Sequence, residues 1–318
     1  MHFAYGQQRK GSQPSPYAIR SRPYWLRVRR GPGQLIALIV GCVFTFWLVS
    51  RWTGSSSSER IPPGTPPVVL VTTIDPDYKE SFVKILTKNR KDYAAKHGYA
   101  TFFPSTQDYP LDEAPRSWAR VPAIRHAMTE FPHSTYFFHL DAHALIANYD
   151  LSVEEHIMNK DRLEKIMIVN IPVVPPDSVI KTFAHLKGDR IDLVLTQDKD
   201  GLSQNSMIIR RGEWAKYFLD AWFDPLYRSY NFQKAEGHAL EHIVQWHGTI
   251  LAKLALVEQN IMNSYIKGSG KNAAKDGTYS NGHFIVNFGD CDKGSRSCET
   301  EMDPFLEKVK KHRRSDDE

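Results

Sequence analysis

The sequence contains only three cysteines in 318 residues, no Asn-x-Ser/Thr triplet, and no acidic side chain before residue 35. Because no group of Cys and His has zinc-finger spacing, the sequence argues against a structural zinc site of that kind. We expect no N-linked glycan on the chain, since the acceptor triplet is missing. A hydrophobic content of 41% and an aromatic content of 12% exclude a wholly disordered or fibrous chain.

The excess of positive charge lies at the beginning of the chain. The net charge is +5, and seven basic residues precede residue 35: Arg9, Lys10, Arg20, Arg22, Arg27, Arg29 and Arg30. Without these seven charges the remainder of the chain carries −2. A nucleic-acid-binding protein normally has its basic surface on the folded domain, so we expect no nucleic-acid partner.

An apolar run follows the basic residues. No charged residue interrupts 35–49, and 33–52 as a helix would be about 30 Å long, which matches a bilayer core. We therefore predict a transmembrane signal anchor over 35–52, with a cytosolic basic tail over 1–34 and the rest of the chain in the lumen, which is type II topology. A cleaved signal peptide and a buried core helix are the alternatives.

The composition changes again after the apolar run. Residues 53–67 are rich in Ser, Gly and Pro and poor in apolar side chains, so we expect a solvated stem. The roughly 250 residues that follow are enough for one large domain with its own core. We expect this luminal domain over 68–305 and a charged tail over 306–318.

Strands and helices alternate along the predicted domain. Apolar, β-branched and aromatic runs predict strands over 68–74, 99–103, 135–140, 165–169, 191–196, 206–209 and 283–288. Helical spacing of apolar residues predicts helices over 78–97, 118–130, 213–222 and 240–256. This alternation predicts an α/β fold with a mostly parallel sheet and helices on both faces. Ligands of such sheets bind outside the carboxyl ends of the strands, here after Ile74 and Leu140.

Asp141 and His143 directly follow the predicted strand over 135–140. A carboxylate and an imidazole two residues apart can hold a divalent cation, and such a cation would act as a Lewis acid toward the departing diphosphate of a nucleotide-sugar. The alternative is structural, with Asp141 capping a turn and His143 lying on a loop surface.

Six segments, taken in order, resemble glycosyltransferase family 34, which includes galactosyltransferases and fungal α-1,6-mannosyltransferases. They are 88–99, 118–124, 140–146, 201–210, 240–245 and 284–291. Segment 140–146 (LDAHALI) falls on the family's Asp-x-Asp motif, with His143 in the second position. Segment 284–291 (FIVNFGDC) is similar to F-x-x-H-F-x-G-C, with Asn287 in the place of His. Around 213–265 the chain resembles the mannosyltransferase subunits of the fungal Golgi mannan polymerase complex.

The resemblance implies a GT-A-type fold and a set of donor and metal contacts. By motif position, Mn²⁺ would be held by Asp141, His143 and Asn287. The donor would contact Thr72, Thr73, Arg120 and Asp141, because Arg120 occupies the place of a motif Lys and a guanidinium forks onto phosphate oxygens. Thr72 and Thr73 can equally be ordinary sheet residues, and Arg120 a surface charge.

The resemblance also implies an activity and a setting. Family 34 enzymes retain the anomeric configuration, so Gln204 and Glu241 are the candidate catalytic side chains beside the anomeric carbon. We expect transfer of mannose from GDP-mannose to mannan or N-glycan chains at the Golgi membrane, within a hetero-oligomeric mannosyltransferase complex. Two alternatives stay open. One is a non-catalytic scaffold subunit, favoured by the departures at His143, Asn205 and Asn287, and the other is a galactosyltransferase.

Cys291 and Cys298 are the pair available for a disulfide, because Cys42 lies in the apolar run. In an oxidising lumen a disulfide between them would brace the loop after the last predicted strand. A reduced pair is the alternative.

Overall fold

The computed structural model describes residues 32–53, 61–174, 178–198, 200–230, 232–266 and 277–316. Residues 1–31 of the predicted basic tail and 54–60 of the predicted stem lie outside this part of the chain. The chain divides into two units, Met1–Arg60 and Ile61–Glu318.

In the first unit, helix α1 covers Pro32–Thr53 and therefore includes the apolar run. Among the described residues, no helix combines the length and the apolarity that a membrane crossing requires. The anchor over 35–52 and the type II topology remain predictions.

The second unit is built from short strands and helices. The strands are β1 (Val68–Val71), β2 (Ala100–Phe102), β3 (Tyr136–Leu140), β4 (Ala144–Ile146), β5 (Met167–Ile168), β6 (Leu193–Asp198), β7 (Gly201–Arg210), β8 (Leu254–Val257), β9 (Ser264–Tyr265) and β10 (Ile285–Asn287). The helices are α2 (Glu80–His97), α3 (Arg120–Glu130), α4 (Lys160–Ile166), α5 (Glu213–Trp222), α6 (Pro225–Ser229), α7 (Glu236–Trp246), α8 (Gly248–Leu251), α9 (Gln259–Met262) and α10 (Cys298–Asp316).

Seven strands form one sheet in the order β2-β1-β3-β7-β6-β8-β5. Strand β1 is parallel to β2 and β3, and β6 is parallel to β8. The pairs β3–β7, β6–β7 and β5–β8 are antiparallel. The prediction of a mostly parallel sheet is therefore wrong, and the sheet is mixed. For β6 and β7 the reason is local, since only two residues separate these strands, and a parallel crossover needs a dozen or more.

The sheet is buried on both faces, as the α/β prediction requires. Val69 and Val71 of β1 pack on one side with α3, α5 and α7. Val68 and Leu70 pack on the other side with α2 and α4. The alternation follows from the two-residue period of a strand, and each such side chain contributes about 1.5–3 kcal/mol by leaving water.

A smaller sheet, in the order β4-β10-β9, lies beside the carboxyl end of β3. Its side chains form a separate cluster with α2 and α10 that includes Phe82, Val286 and Met302. Helix α10 runs through most of the predicted charged tail, and Leu306 packs against this cluster. An apolar contact thus extends the folded unit beyond residue 305.

The helix predicted over 240–256 is wrong in its second half. Helix α7 ends at Trp246, α8 is a single turn, and 254–257 form strand β8 between β6 and β5. The apolar stretch from Ile250 to Val257, which only Lys253 interrupts, has no periodicity that distinguishes a buried strand from a buried helix. By contrast, the predicted helix over 213–222 has the same bounds as α5.

Candidate active site

A cavity of about 330 Å³ opens at the carboxyl ends of β1 and β3. Its charged lining consists of the acids Asp75, Asp141, Asp290 and Asp292 and the bases Arg116, Arg120 and Lys293, together with His143. Of the site residues predicted from the sequence, this cavity brings together Thr73, Arg120, Asp141, His143, Gln204 and Asn287. With four carboxylates and three bases, the cavity carries one net negative charge while His143 is neutral, and this favours a cation over a bare diphosphate.

The turn that carries Asp141 and His143 is fixed by backbone and side-chain hydrogen bonds. The backbone N–H of Asp141 donates to the carbonyl of Asn205 at 2.8 Å, and that of Ala144 donates to the carbonyl of Asp141 at 3.1 Å. Buried Arg90 of α2 donates to the carbonyls of Asp141 and Ala144 at 2.9 and 2.7 Å. Segment 88–99, which carried part of the family resemblance, therefore shapes this turn from beneath.

Both carboxylate oxygens of Asp141 have partners. Oδ1 accepts hydrogen bonds from the backbone N–H and from Nδ1 of His143 at 3.0 and 3.1 Å. Oδ2 accepts one from Nη2 of Arg120 at 3.2 Å. Burial acts to raise the pKa of Asp141, but the hydrogen bonds and charge of His143 and the charge of Arg120 outweigh it and hold the pKa well below its usual range. These contacts favour the anionic form of Asp141.

His143 lies between two carboxylates. Its Nδ1 faces Asp141, while Nε2 is buried, has no hydrogen-bond partner, and lies 3.3 Å from Oδ2 of Asp292 in a geometry that is not a hydrogen bond. The ring stacks on Phe82 at 5.9 Å between centroids. Burial acts to lower the pKa of His143, but Asp141 and Asp292 outweigh it and raise the pKa.

Asn287 is 1% exposed, and both ends of its side-chain amide are bonded. Nδ2 donates to Oδ1 of Asn263 at 3.1 Å, and Oδ1 accepts from the backbone N–H of Gly289 at 2.9 Å. Asn263 in turn donates to the hydroxyls of Ser203 and Thr196 at 2.9 and 3.3 Å. Asn287 therefore belongs to a buried polar network beneath the cavity.

Arg120 lies between Asp141 and a second buried acid, Glu236. Its Nε is 3.3 Å from Oε1 of Glu236, which is 3% exposed at the start of α7. Glu236 also accepts hydrogen bonds from Ser117 at 2.7 Å and from Nε2 of Gln204 at 3.4 Å. Gln204 is thus held beside Arg120 on the cavity wall.

Two predicted site residues do not line the cavity. Thr72 is fully buried, and its hydroxyl donates to the carbonyl of Leu140 at 2.8 Å, which ties the ends of β1 and β3 together. Oε1 of Glu241 accepts from the backbone N–H of Leu202 at 3.2 Å, and burial raises the pKa of Glu241. A Cβ on Gly201, where φ is +127°, would lie 1.8 Å from that oxygen. Glu241 therefore holds the β6–β7 hairpin.

The loop after β10 completes the cavity. A disulfide joins Cys291 to Cys298, which is the pairing that the sequence predicted. Arg296 donates to the carbonyls of Gly289 and Phe288 at 2.7 and 2.8 Å and forms an ion pair with Glu301 at 2.6 Å. These contacts hold Asp290, Asp292 and Lys293 at the cavity, on a loop whose two ends are tied.

Sequence reasoning missed four acids of the site, Asp75, Asp290, Asp292 and Glu236. Asp290 occupies the glycine position of the family's F-x-G-C motif with φ of +49°, a conformation that glycine adopts readily and most residues avoid. The sequence offered two signals for these loop acids. One is the departure from glycine at Asp290, and the other is the position of Asp292 next to a predicted disulfide cysteine. Glu236 carried none, because its role depends on contacts with Ser117 and Arg120, more than a hundred residues earlier.

The donor set is compatible with a divalent cation. Carboxylate oxygens and a buried imidazole nitrogen without a hydrogen-bond partner meet at one wall of the cavity. Among the described residues, the one cluster of three His, Cys, Asp or Glu ligand atoms is His143 with Cys291 and Cys298, whose sulfurs are bonded to each other and are not thiolates. The two sulfurs are therefore not available as ligands, and the carboxylates and His143 are the charged and imidazole groups that could hold a cation.

A family model described as the galactosyl transferase GMA12/MNN10 family, glycosyltransferase family 34, matches residues 64–299. The chain belongs to this family. Membership of this family supports a glycosyltransferase activity for the chain. Glycosyltransferases of this kind generally use a nucleotide-sugar donor and a glycan acceptor. The matched range covers both sheets and every residue that lines the cavity.

Two curated relatives show the range of activities in the family. An uncharacterized α-1,2-galactosyltransferase of Schizosaccharomyces pombe is 30% identical over 270 residues, which are 82% of this chain and 80% of that protein. The probable α-1,6-mannosyltransferase MNN11 of Saccharomyces cerevisiae is also 30% identical, over 77% of this chain and 63% of the yeast protein. The sugar and the linkage therefore differ among relatives of equal identity.

One solved structure has a similar fold. It is a glycosyltransferase involved in the glycosylation of the major capsid of PBCV-1, and it superposes with a TM-score of 0.50 at 11% identity. The superposition covers 76% of this chain and 99% of that protein. At this identity the likeness concerns the fold alone.

Proposed function

We propose that the chain is a retaining α-1,6-mannosyltransferase that transfers mannose from GDP-mannose to mannan or N-glycan chains. The observation that carries the proposal is the cavity at the carboxyl ends of β1 and β3, which gathers Asp141, His143, Arg120 and Gln204 in a family 34 chain. Similarity to the yeast α-1,6-mannosyltransferases MNN11 and MNN10, at 30% and 28% identity, supports mannose as the sugar.

Different residues of the cavity serve different parts of the proposed transfer reaction. Arg116, Arg120 and Lys293 supply positive charge for the two phosphates. Gln204, held by Glu236, presents an amide on the cavity wall, where it can contact the sugar beside the anomeric carbon. Mn²⁺, when bound by His143 and the neighbouring carboxylates, would neutralise charge on the leaving GDP as a Lewis acid.

A second candidate is an α-1,2-galactosyltransferase that uses UDP-galactose. The relative from Schizosaccharomyces pombe favours it, because that match covers 82% of this chain. A third candidate is a non-catalytic subunit of a mannosyltransferase assembly. The buried and fully bonded Asn287, in the place of a metal-ligating His, favours this reading.

The cellular location and the assembly of the chain are part of the same proposal. We place the chain in the Golgi membrane with a type II anchor over 35–52, supported by the apolar run and by the seven basic residues that precede it. Similarity to MNN10 and MNN11 supports work within a hetero-oligomeric mannosyltransferase complex.

A donor assay on the purified full-length protein separates the three candidates. GDP-mannose and UDP-galactose are each supplied with Mn²⁺ and a mannose oligosaccharide, and the linkage and anomer of the product are read by NMR. A mannosylated α-1,6 product supports the first candidate, a galactosylated product supports the second, and no product from either donor supports the third.

Variants link the product to the cavity. Asp141→Asn should lower transfer by about 100-fold, because it removes the anion that orients His143 and pairs with Arg120. Asp220→Asn is the matched control, since that side chain is 66% exposed and does not line the cavity. Equal activity of both variants would contradict a catalytic role for this cavity.

A further inference from the structure

We infer that Asp292 and Nε2 of His143 bind the divalent cation of this chain, in place of Asn287, and that Asp141 orients His143. The inference rests on the proposed function, because it assigns the cation site of the same cavity. It differs from the ligand set that motif positions indicate, since that set includes Asn287 and omits Asp292.

Asn287 is poorly placed to act as the third ligand. It is 1% exposed, its Oδ1 accepts from the backbone N–H of Gly289 at 2.9 Å, and its Nδ2 donates to Asn263 at 3.1 Å. To bind a cation, the amide would have to share an oxygen that already stabilises the loop. A neutral amide also contributes less to cation affinity than a carboxylate.

Asp141 already acts as an orienting carboxylate. Its Oδ1 accepts from Nδ1 of His143 at 3.1 Å, and this hydrogen bond places the ring proton on Nδ1. Nε2 on the opposite side of the ring then carries the lone pair. The other oxygen of Asp141 is engaged by Arg120 at 3.2 Å. Ligating histidines in proteins commonly donate their second nitrogen to a carboxylate in this way.

Nε2 of His143 faces Asp292. The nitrogen is buried without a hydrogen-bond partner, and Oδ2 of Asp292 lies 3.3 Å from it. Two ligands of one cation have about this separation when each lies about 2.1–2.2 Å from it. Both residues line the cavity, and the Asp292 side chain is 44% exposed, so it can adjust toward an incoming cation.

The loop that carries Asp292 is held on both sides. The disulfide between Cys291 and Cys298 closes it, and Arg296 donates to the carbonyl of Gly289 at 2.7 Å. A ligand on such a loop is preorganised, because little conformational entropy remains to be lost when the cation binds. The neighbouring loop thus offers a carboxylate ligand, whereas position 287 has a neutral amide in the place of the motif's His.

The test measures Mn²⁺ binding to the full-length protein rather than turnover. Free Mn²⁺ is followed by electron paramagnetic resonance, and the affinity is measured by calorimetry with and without GDP at one near-neutral pH. Asp292→Asn should weaken Mn²⁺ binding by about 100-fold. Asp290→Asn is the matched control, because it removes the same charge from the same loop and lines the same cavity. Its effect should be at most about tenfold, since a non-ligating charge acts only over distance.

The outcomes separate this inference from the proposed function. Equal weakening by both variants would overturn the role of Asp292 and leave Asn287 as the third ligand. Absence of Mn²⁺ binding by the parent protein would overturn the inference as well, with His143 and Asp292 then forming an ion pair only. In either case the donor assay still decides whether the chain transfers a sugar, because it detects the product directly.

Discussion

The guanidinium of Arg90 donates a 2.9 Å hydrogen bond to the backbone carbonyl of Asp141. The same Nη2 donates to Ala144 at 2.7 Å, so one buried side chain of α2 fixes both ends of the turn that carries His143. Arg90 is fully buried, and burial lowers its pKa to about 10. The guanidinium remains charged near neutral pH, and its position determines where Asp141 and His143 meet the cavity.

Replacement of Arg90 should therefore destabilise the protein. Arg90→Met keeps much of the side-chain volume, but it leaves the inward-facing carbonyl of Ala144 without this donor and removes one of the two donors to the carbonyl of Asp141, which should lower the free energy of unfolding by about 3 kcal/mol. Urea denaturation of the full-length protein measures this loss. Lys84→Met on the same helix is the control, because that side chain is 74% exposed and the change should stay within about 0.5 kcal/mol. Similar losses in both variants would show that Arg90 does not hold the turn.

Arg120 and Glu236 should stabilise the protein as a coupled pair. Their side chains are 11% and 3% exposed and lie 3.3 Å apart, so removal of Arg120 leaves a buried carboxylate with one cation fewer. Arg120→Gln and Glu236→Gln should each be destabilising, and the double variant should lose about 1.5–3 kcal/mol less than the sum of the two. Urea unfolding of the parent and the three variants measures the coupling.

Glu241 provides the control for that cycle. It lies on the same helix, but its carboxylate accepts from Leu202, and the charges that act on it come from Lys234, Asp198 and Asp200. Glu241→Gln combined with Arg120→Gln should therefore be additive to within about 0.5 kcal/mol. Additivity in the Glu236 cycle, or coupling in the Glu241 cycle, would refute the assignment of Glu236 as the partner of Arg120.

His139 should make folding sensitive to acid. The side chain on β3 is 1% exposed, and burial, together with the positive charge of Arg120, lowers its pKa to about 3. An unfolded histidine titrates near 6.5, so between pH 6.5 and 3 the unfolded chain binds a proton that the folded chain does not. The stability that comes from a neutral, buried His139 is therefore fully present above pH 6.5. It is lost as the pH falls toward 3, and the free energy of unfolding decreases by up to about 1.4 kcal/mol per pH unit.

His139→Phe should reduce that slope. The free energy of unfolding, measured by urea denaturation between pH 6.5 and 4, should fall less steeply in the variant than in the parent. His185→Phe is the matched control, because His185 is exposed and the change should leave the slope as it is. Parallel curves for the parent and His139→Phe would contradict a neutral, buried His139.

Local patterns predicted those features that depend on neighbouring residues. The helix over 213–222 follows from apolar side chains on one face, and the turn after Leu140 follows from a buried strand that ends at a polar residue. The disulfide was predicted because Cys291 and Cys298, seven residues apart after the last strand, are the pair that remains when Cys42 is assigned to the apolar run. Each of these signals is contained in a short stretch of chain.

Longer-range features were beyond such patterns. Strand β8 has the apolar composition of a helix that continues from α7, and only its pairing with β6 and β5 makes it a strand. Glu241 and Glu236 are five residues apart on one helix, and the motif indicated the first, whereas the fold turns the second toward Arg120. The rotation of α7 about its own axis decides which of the two carboxylates faces Arg120. Packing of the helix against the sheet determines that rotation.

The amino-acid sequence alone determined the alternation of strands and helices and the polar turn at the end of β3, because both depend on short-range periodicity. It also determined the family, because the family's motif segments keep their order and spacing along the chain. Tertiary packing decided which acids surround His143. Asp141 and Asp292 are 151 positions apart, and they flank one imidazole because β3 and the disulfide-closed loop after β10 meet at the same edge of the fold. Contacts of that separation arise from strand pairing and core burial, which no local pattern encodes.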